Sequence, residues 1–162
     1  MTFFKISTFC LSLFLLATTS CKKSLIKNCD AACDLHGYCD LTTGTCNCES
    51  GYEGVNCETE TRSRFTGAYS VVQDSNGVIK NYNCIIANGT GSAYTISISA
   101  LNNASFDATV AANNTISISD FDAQFIQITG AGTVTGNQID LNITFKPNFD
   151  PAYTLKFKLT KQ

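Results

Sequence analysis

The chain has 162 residues, 44% of them hydrophobic and only 15% charged, with nine Cys, one His and no Trp. That length holds one or two small domains and excludes most large enzyme folds, which need roughly 200 residues or more. With 11 Lys and Arg against 13 Asp and Glu the formal charge is −2, so no basic field exists for counterion-driven binding and nucleic acid is not an expected partner.

Residues 1–20 run from Lys5 into the apolar stretch Phe9 to Ala17 and end on Thr18-Thr19-Ser20 before Cys21. The apolar stretch is well short of the roughly 20 residues that cross a bilayer as a helix, so it reads as an export signal. Small residues directly before a cysteine resemble a bacterial lipoprotein signal. That resemblance implies lipidation of Cys21 as the first mature residue, with palmitate-type acyl chains holding the protein to a membrane. An ordinary signal peptide with Cys21 left as a spare thiol is the alternative. Residues 21–28 form a short basic tether. In lipoprotein sorting an acidic residue after the lipidated cysteine retains the protein at the inner membrane; Lys22 is not acidic, so the resemblance implies the outer membrane or cell surface.

Export puts the remaining cysteines in an oxidising compartment, where a dense run of them is a disulfide framework. Six fall at Cys29, Cys33, Cys39, Cys46, Cys48 and Cys57. A segment of this size is below the approximately 40 residues at which a hydrophobic core alone begins to suffice, so it needs covalent staples. Six cysteines allow 15 pairings, and spacing chooses none of them.

The run from Gly44 to Cys57, with Cys46-Asn47-Cys48, Gly51-Tyr52 and Gly54, resembles the second half of an EGF-like domain. His36-Gly37-Tyr38-Cys39 is similar to the turn before that family's third cysteine. The resemblance implies an EGF-like module over 29–57, with Cys29 paired to Cys39, Cys33 to Cys46 and Cys48 to Cys57. Gly51 and Gly54 suit positive-φ turn positions on either side of Tyr52, whose ring can cover a disulfide. Calcium-binding members carry acidic ligands just before the first cysteine, whereas this chain has Leu25-Ile26-Lys27-Asn28; no calcium is expected. Zinc on these thiolates is disfavoured by the single His and the export signal, so no metal or cofactor is expected anywhere.

Residues 58–64, Glu-Thr-Glu-Thr-Arg-Ser-Arg, have the polar composition of a linker. From residue 65 to 162 apolar and polar residues alternate. Tyr94, Ile96 and Ile98 form one inward face; Ile139, Leu141, Ile143 and Phe145 a second; Tyr153, Leu155, Phe157 and Leu159 a third. Shorter strands are expected over 67–73, 78–87, 106–110, 115–119, 124–129 and 132–135, separated by Asn- and Gly-rich turns. Eight or nine short strands with hairpin links predict a mainly β chain, with an antiparallel meander β-barrel after the disulfide-rich module; a β-sandwich is the alternative. Phe65-Thr66-Gly67-Ala68-Tyr69 is similar to the start of lipocalin-like barrels. The whole region resembles exported domains that follow an EGF-like module in Bacteroidetes lipoproteins, and that resemblance implies no known activity.

From residue 65 onward there is no His, Glu or Arg, which removes a Ser-His-Asp triad, a His-based metal site and an Arg phosphate clamp within that region. Asp120 and Asp122 are the sharpest pair for hydrolysis, set against the plainer reading of a polar strand end. Cys84 shares a face with Tyr82 and Ile86 and reads as a small buried hydrophobe. The expected function is therefore non-catalytic: an anchored binding or structural protein at the bacterial envelope, meeting a protein or glycan. The alternatives are a lipocalin-like carrier of a small apolar ligand and a minor hydrolase using Asp120 and Asp122.

Overall fold

The computed structural model describes Cys29, Cys33, residues 35–121 and residues 126–162. The expected leader, Cys21, the tether and Asp122 lie outside the described residues.

The cysteine-rich segment folds around two small hairpins. Strands β1 (Gly37–Asp40) and β2 (Thr45–Cys48) pair in antiparallel register, Gly37 opposite Cys48 and Asp40 opposite Thr45. The turn between them is tied by Asp40, whose Oδ1 accepts from the Thr42 hydroxyl and from the Thr42 N–H at 2.8 Å. Those bonds favour the charged carboxyl and hold it below the usual carboxylate range. Disulfides join Cys29 to Cys39, Cys33 to Cys46 and Cys48 to Cys57, with Cα separations of 5.8, 5.5 and 5.2 Å. This is the pairing implied by the EGF resemblance. The module continues past its last cysteine, because β3 (Tyr52–Glu53) pairs with β4 (Thr59–Glu60).

The expected linker is consequently a folded junction. After β4 the chain makes a 3₁₀ turn over Thr61–Arg64 in which Thr61 is buried, then enters the second unit through buried Phe65. That unit is an eight-stranded closed barrel. Its strands are β5 (Gly67–Ser75), β6 (Val78–Asn88), β7 (Thr95–Leu101), β8 (Ala104–Val110), β9 (Thr115–Phe121), β10 (Gln127–Thr135), β11 (Gln138–Lys146) and β12 (Tyr153–Lys161). Each pairs antiparallel with its chain neighbours, and β12 closes on β5. The meander follows from the turns: Asn76-Gly77 and Asn102-Asn103 all take positive φ, the conformation two-residue hairpins require.

One expectation is corrected. The separate strands over 124–129 and 132–135 are a single strand, β10, with residues 122–125 outside the described set. Its inward positions include Gly130 and Gly132, so the apolar period is interrupted although the strand is not. The glycines are there because β11 approaches closely: a Cβ at Gly132 would collide with the Leu141 side chain, and one at Gly130 would lie 2.5 Å from the Asn142 carbonyl oxygen.

Inward side chains fill the barrel. The buried apolar set, from Phe65 through Ile98, Ile128 and Leu141 to Leu159, ranges from 0 to 8% exposed. A ligand-sized void would leave accessible area on the side chains around it, so these residues form a packed core, as eight strands allow. The polar exception is Gln73, buried at the end of the barrel far from the EGF-like module. Toward that end the ladders are incomplete, since β6 pairs with β7 only from Ile85 to Asn88 and β8 with β9 only at Thr109 and Val110. Side chains bridge where ladder bonds stop. Tyr82 donates to Gln73 Oε1 at 2.8 Å and accepts from the Asn102 N–H at 3.0 Å.

Candidate functional site

The barrel end formed by the β6–β7 and β8–β9 loops receives the EGF-like module, and two arginines make the joint. Arg62 Nη1 donates to the carbonyls of Gly89 at 2.8 Å and Ser92 at 2.9 Å, while its Nε lies 2.8 Å from Glu60 Oε2. Its backbone N–H donates to the Ala93 carbonyl at 3.3 Å. The Glu60 carboxyl is held below the usual carboxylate range, first by its hydrogen bond from Arg62. Arg64 Nε reaches Glu53 Oε1 at 2.6 Å, and its Nη1 donates to Asn114 Oδ1 at 2.5 Å. The Arg62 head is thus shared between both units through charge-assisted bonds at a half-buried position. Arg62→Ala is expected to weaken docking by about 2 kcal/mol, seen as new protease cleavage between residues 58 and 66 with the barrel itself intact.

Docking leaves a cleft of about 520 Å³ between the units. One wall comes from the EGF-like module, with Glu49, Ser50, Gly51 and Tyr52; the other comes from the barrel loops, with Tyr94, Thr109 and Val110 among its residues. Tyr52 is backed by His36, their rings stacked at 3.7 Å between centroids and 6° between planes. One face of the Tyr52 ring is therefore covered by an imidazole. His36 Nδ1 also lies 3.9 Å from Glu49 Oε2. Gly51 adopts φ +94°, and a Cβ there would sit 3.0 Å from Tyr94 Cδ1. A glycine is needed on both counts, for the left-handed backbone and for the seat of the Tyr94 ring.

Tyr94 is the residue that alternation misplaces. Its parity puts it with Ile96 and Ile98, but β7 begins at Thr95, and Tyr94 belongs to the loop and is 38% exposed. Nothing local marks it as a cleft residue, since the opposite wall comes from more than 40 residues earlier in the chain.

The other candidates are dispersed. Asp120 stands on β9 opposite Ile128, and its Oδ2 accepts from the Asp107 backbone N–H at 2.6 Å, filling the opening between β8 and β9. The carboxylate thus has a structural task, and its expected companion Asp122 lies outside the described residues. The Cys29, Cys33 and Cys46 sulfurs lie close together, but all three are in disulfides. Cys84 is free and buried on β6, and burial pushes its thiol up to about 11. Burial likewise pushes the Tyr69 phenol up to about 12, with a smaller push from neighbouring Cys84; its hydroxyl donates to the Phe65 carbonyl at 2.7 Å.

Both groups fold in their protonated forms. Their contribution to stability is complete below the unfolded values of 9.0 and 10.0, and is lost as pH rises through about 11 and about 12. Native protein at pH 8 is expected to resist alkylation at Cys84, and stability should decline between about pH 9 and 12. Mass-spectrometric labelling and pH-dependent denaturation check both.

Comparison with known proteins is in line with this division. Residues 28–67 match the Laminin EGF domain family, a span that includes the disulfide module, the junction and the first residue of β5. No curated protein matches the chain. No helix among the described residues is long and apolar enough to cross a membrane.

Proposed function

We propose that the protein is a non-catalytic binding module, exported and held at the bacterial envelope by acyl chains on Cys21, with the junction cleft as its binding surface. The cleft carries the reading. It is an open concavity between two units clamped by Arg62 and Arg64, and its size lies within the usual range for ligand sites. Among the described residues Glu49 is its one carboxylate, whereas the usual glycoside-type hydrolysis needs two flanking the reacting bond. Three disulfides agree with an oxidising destination. Acyl chains at about 0.8 kcal/mol per buried CH₂ would hold the protein stably once two or more are attached. The carrier alternative has less support, because the barrel core is packed.

Anchoring is tested by expressing the chain with its own leader in a bacterial host fed labelled palmitate. The expected result is an acylated, membrane-bound mature protein starting at Cys21, with Cys21→Ser neither labelled nor retained. A mature wild-type chain without acyl groups, or one with the leader attached, contradicts the reading.

A further inference from the structure

We infer that the junction cleft binds a neutral saccharide of one or two sugar units, such as the exposed end of a glycan chain. This rests on the binding-module reading and names its ligand class.

The lining has the chemistry such a ligand requires. Tyr52 and Tyr94 bring two phenol rings to one cleft, and an aromatic face, with its negative quadrupole, attracts the polarised C–H face of a sugar ring. Neither phenol hydroxyl is hydrogen-bonded among the described residues, so both are available to sugar hydroxyls. Glu49 supplies a charged acceptor, and the Ser50 and Thr109 hydroxyls can donate or accept.

Other ligand classes fit less well. Among the described residues no Lys or Arg side chain lines the cleft, which disfavours phosphates, sulfated sugars and acidic peptides. Its apolar lining is limited to Val110, two neighbouring alanines and the two tyrosine rings in an open cleft, which cannot enclose an acyl chain. An ammonium group would need aromatic faces closed around it. Here His36 already covers one face of Tyr52, and Glu49 is 64% exposed, so water screens its charge. The walls are also fixed in advance. Arg62 and Arg64 set the two units, and Gly51 seats Tyr94, so a small ligand meets little ordering cost.

The test is a two-dimensional ¹H–¹⁵N titration of the oxidised full-length protein. Its probes are neutral disaccharides covering gluco, galacto, manno and N-acetylhexosamine units, with a sulfated disaccharide and a lysine-rich peptide beside them. The expected result is saturable shifts of Gly51, Tyr52, Tyr94 and Val110 by at least one neutral disaccharide, with Kd of order millimolar. Tyr94→Ala should weaken binding roughly tenfold or more, or about 1.4 kcal/mol, with an unchanged melting midpoint. Glu49→Gln should weaken it less, and likewise leave the fold intact. The inference is overturned if no neutral disaccharide shifts these residues at tens of millimolar, if only a charged probe does, or if Tyr94→Ala binds as the wild type does. Cleavage of the bound sugar would instead overturn the non-catalytic reading while supporting the site.

Discussion

Replacing Cys48 and Cys57 together by serine is expected to unfold the EGF-like module and leave the barrel folded. Loss of a native disulfide from a small domain costs about 2–5 kcal/mol, and this module has no apolar reserve to set against it. Its large apolar side chains point outward: Leu35 is 90% exposed, Val55 81%, Tyr38 67% and Leu41 52%. Cys57, by contrast, is fully buried, and a Cβ on Gly37 would sit 2.5 Å from its sulfur, so the disulfide itself occupies the centre of the module. In a ¹H–¹⁵N spectrum, amides between Cys29 and Glu60 should collapse to random-coil positions while those of β5 to β12 stay dispersed. A double variant with a fully dispersed spectrum would show that the module holds itself by other means.

The barrel depends on the opposite kind of force. Phe145→Ala is expected to cost about 3–5 kcal/mol and to lower the barrel's melting midpoint by roughly 15 °C or more. Phe145 is 2% exposed, stacks on Tyr153 at 5.4 Å and meets Phe157 edge-on at 6.5 Å, so truncation opens a void among rings that cannot close over it. Val72→Ala, at an outward position 41% exposed on β5, should stay within about 0.5 kcal/mol of the parent. Comparable losses at the two positions would mean that the inner face is not a packed core.

Much of this architecture is legible in the sequence wherever one residue type answers one local demand. Strict alternation in β11 and β12 sets their faces, because a one-residue slip would turn Leu141, Phe145 and Phe157 outward. Asn76-Gly77 announces a hairpin because few other pairs accept two successive positive φ angles. The cysteine and glycine spacing of the first module carries its fold for the same reason.

What local pattern does not carry is decided across distance. Gly130 and Gly132 interrupt the period of β10 because the demand on them comes from Asn142 and Leu141 on the next strand. Residues 58–64 have a linker's composition, yet Arg62 finds carbonyls at Gly89 and Ser92 that only the closed barrel brings to it. The cleft is the extreme case. Tyr52 and Tyr94 lie in different folding units, and each has an adequate local explanation, one as an EGF-like turn aromatic and the other as a strand residue. Asp120 is the converse: two acidic positions two residues apart suggest chemistry, whereas its carboxylate replaces a ladder bond between β8 and β9.

The cleft has fixed walls only if the two units move as one body, and ¹⁵N relaxation on the oxidised protein measures that directly. The arginine joint predicts one rotational correlation time for the amides of β1 to β4 and of β5 to β12, separating into two on Arg62→Ala. A shorter correlation time for the EGF-like module in the wild-type protein would mean that the joint does not hold and that the cleft has no fixed walls.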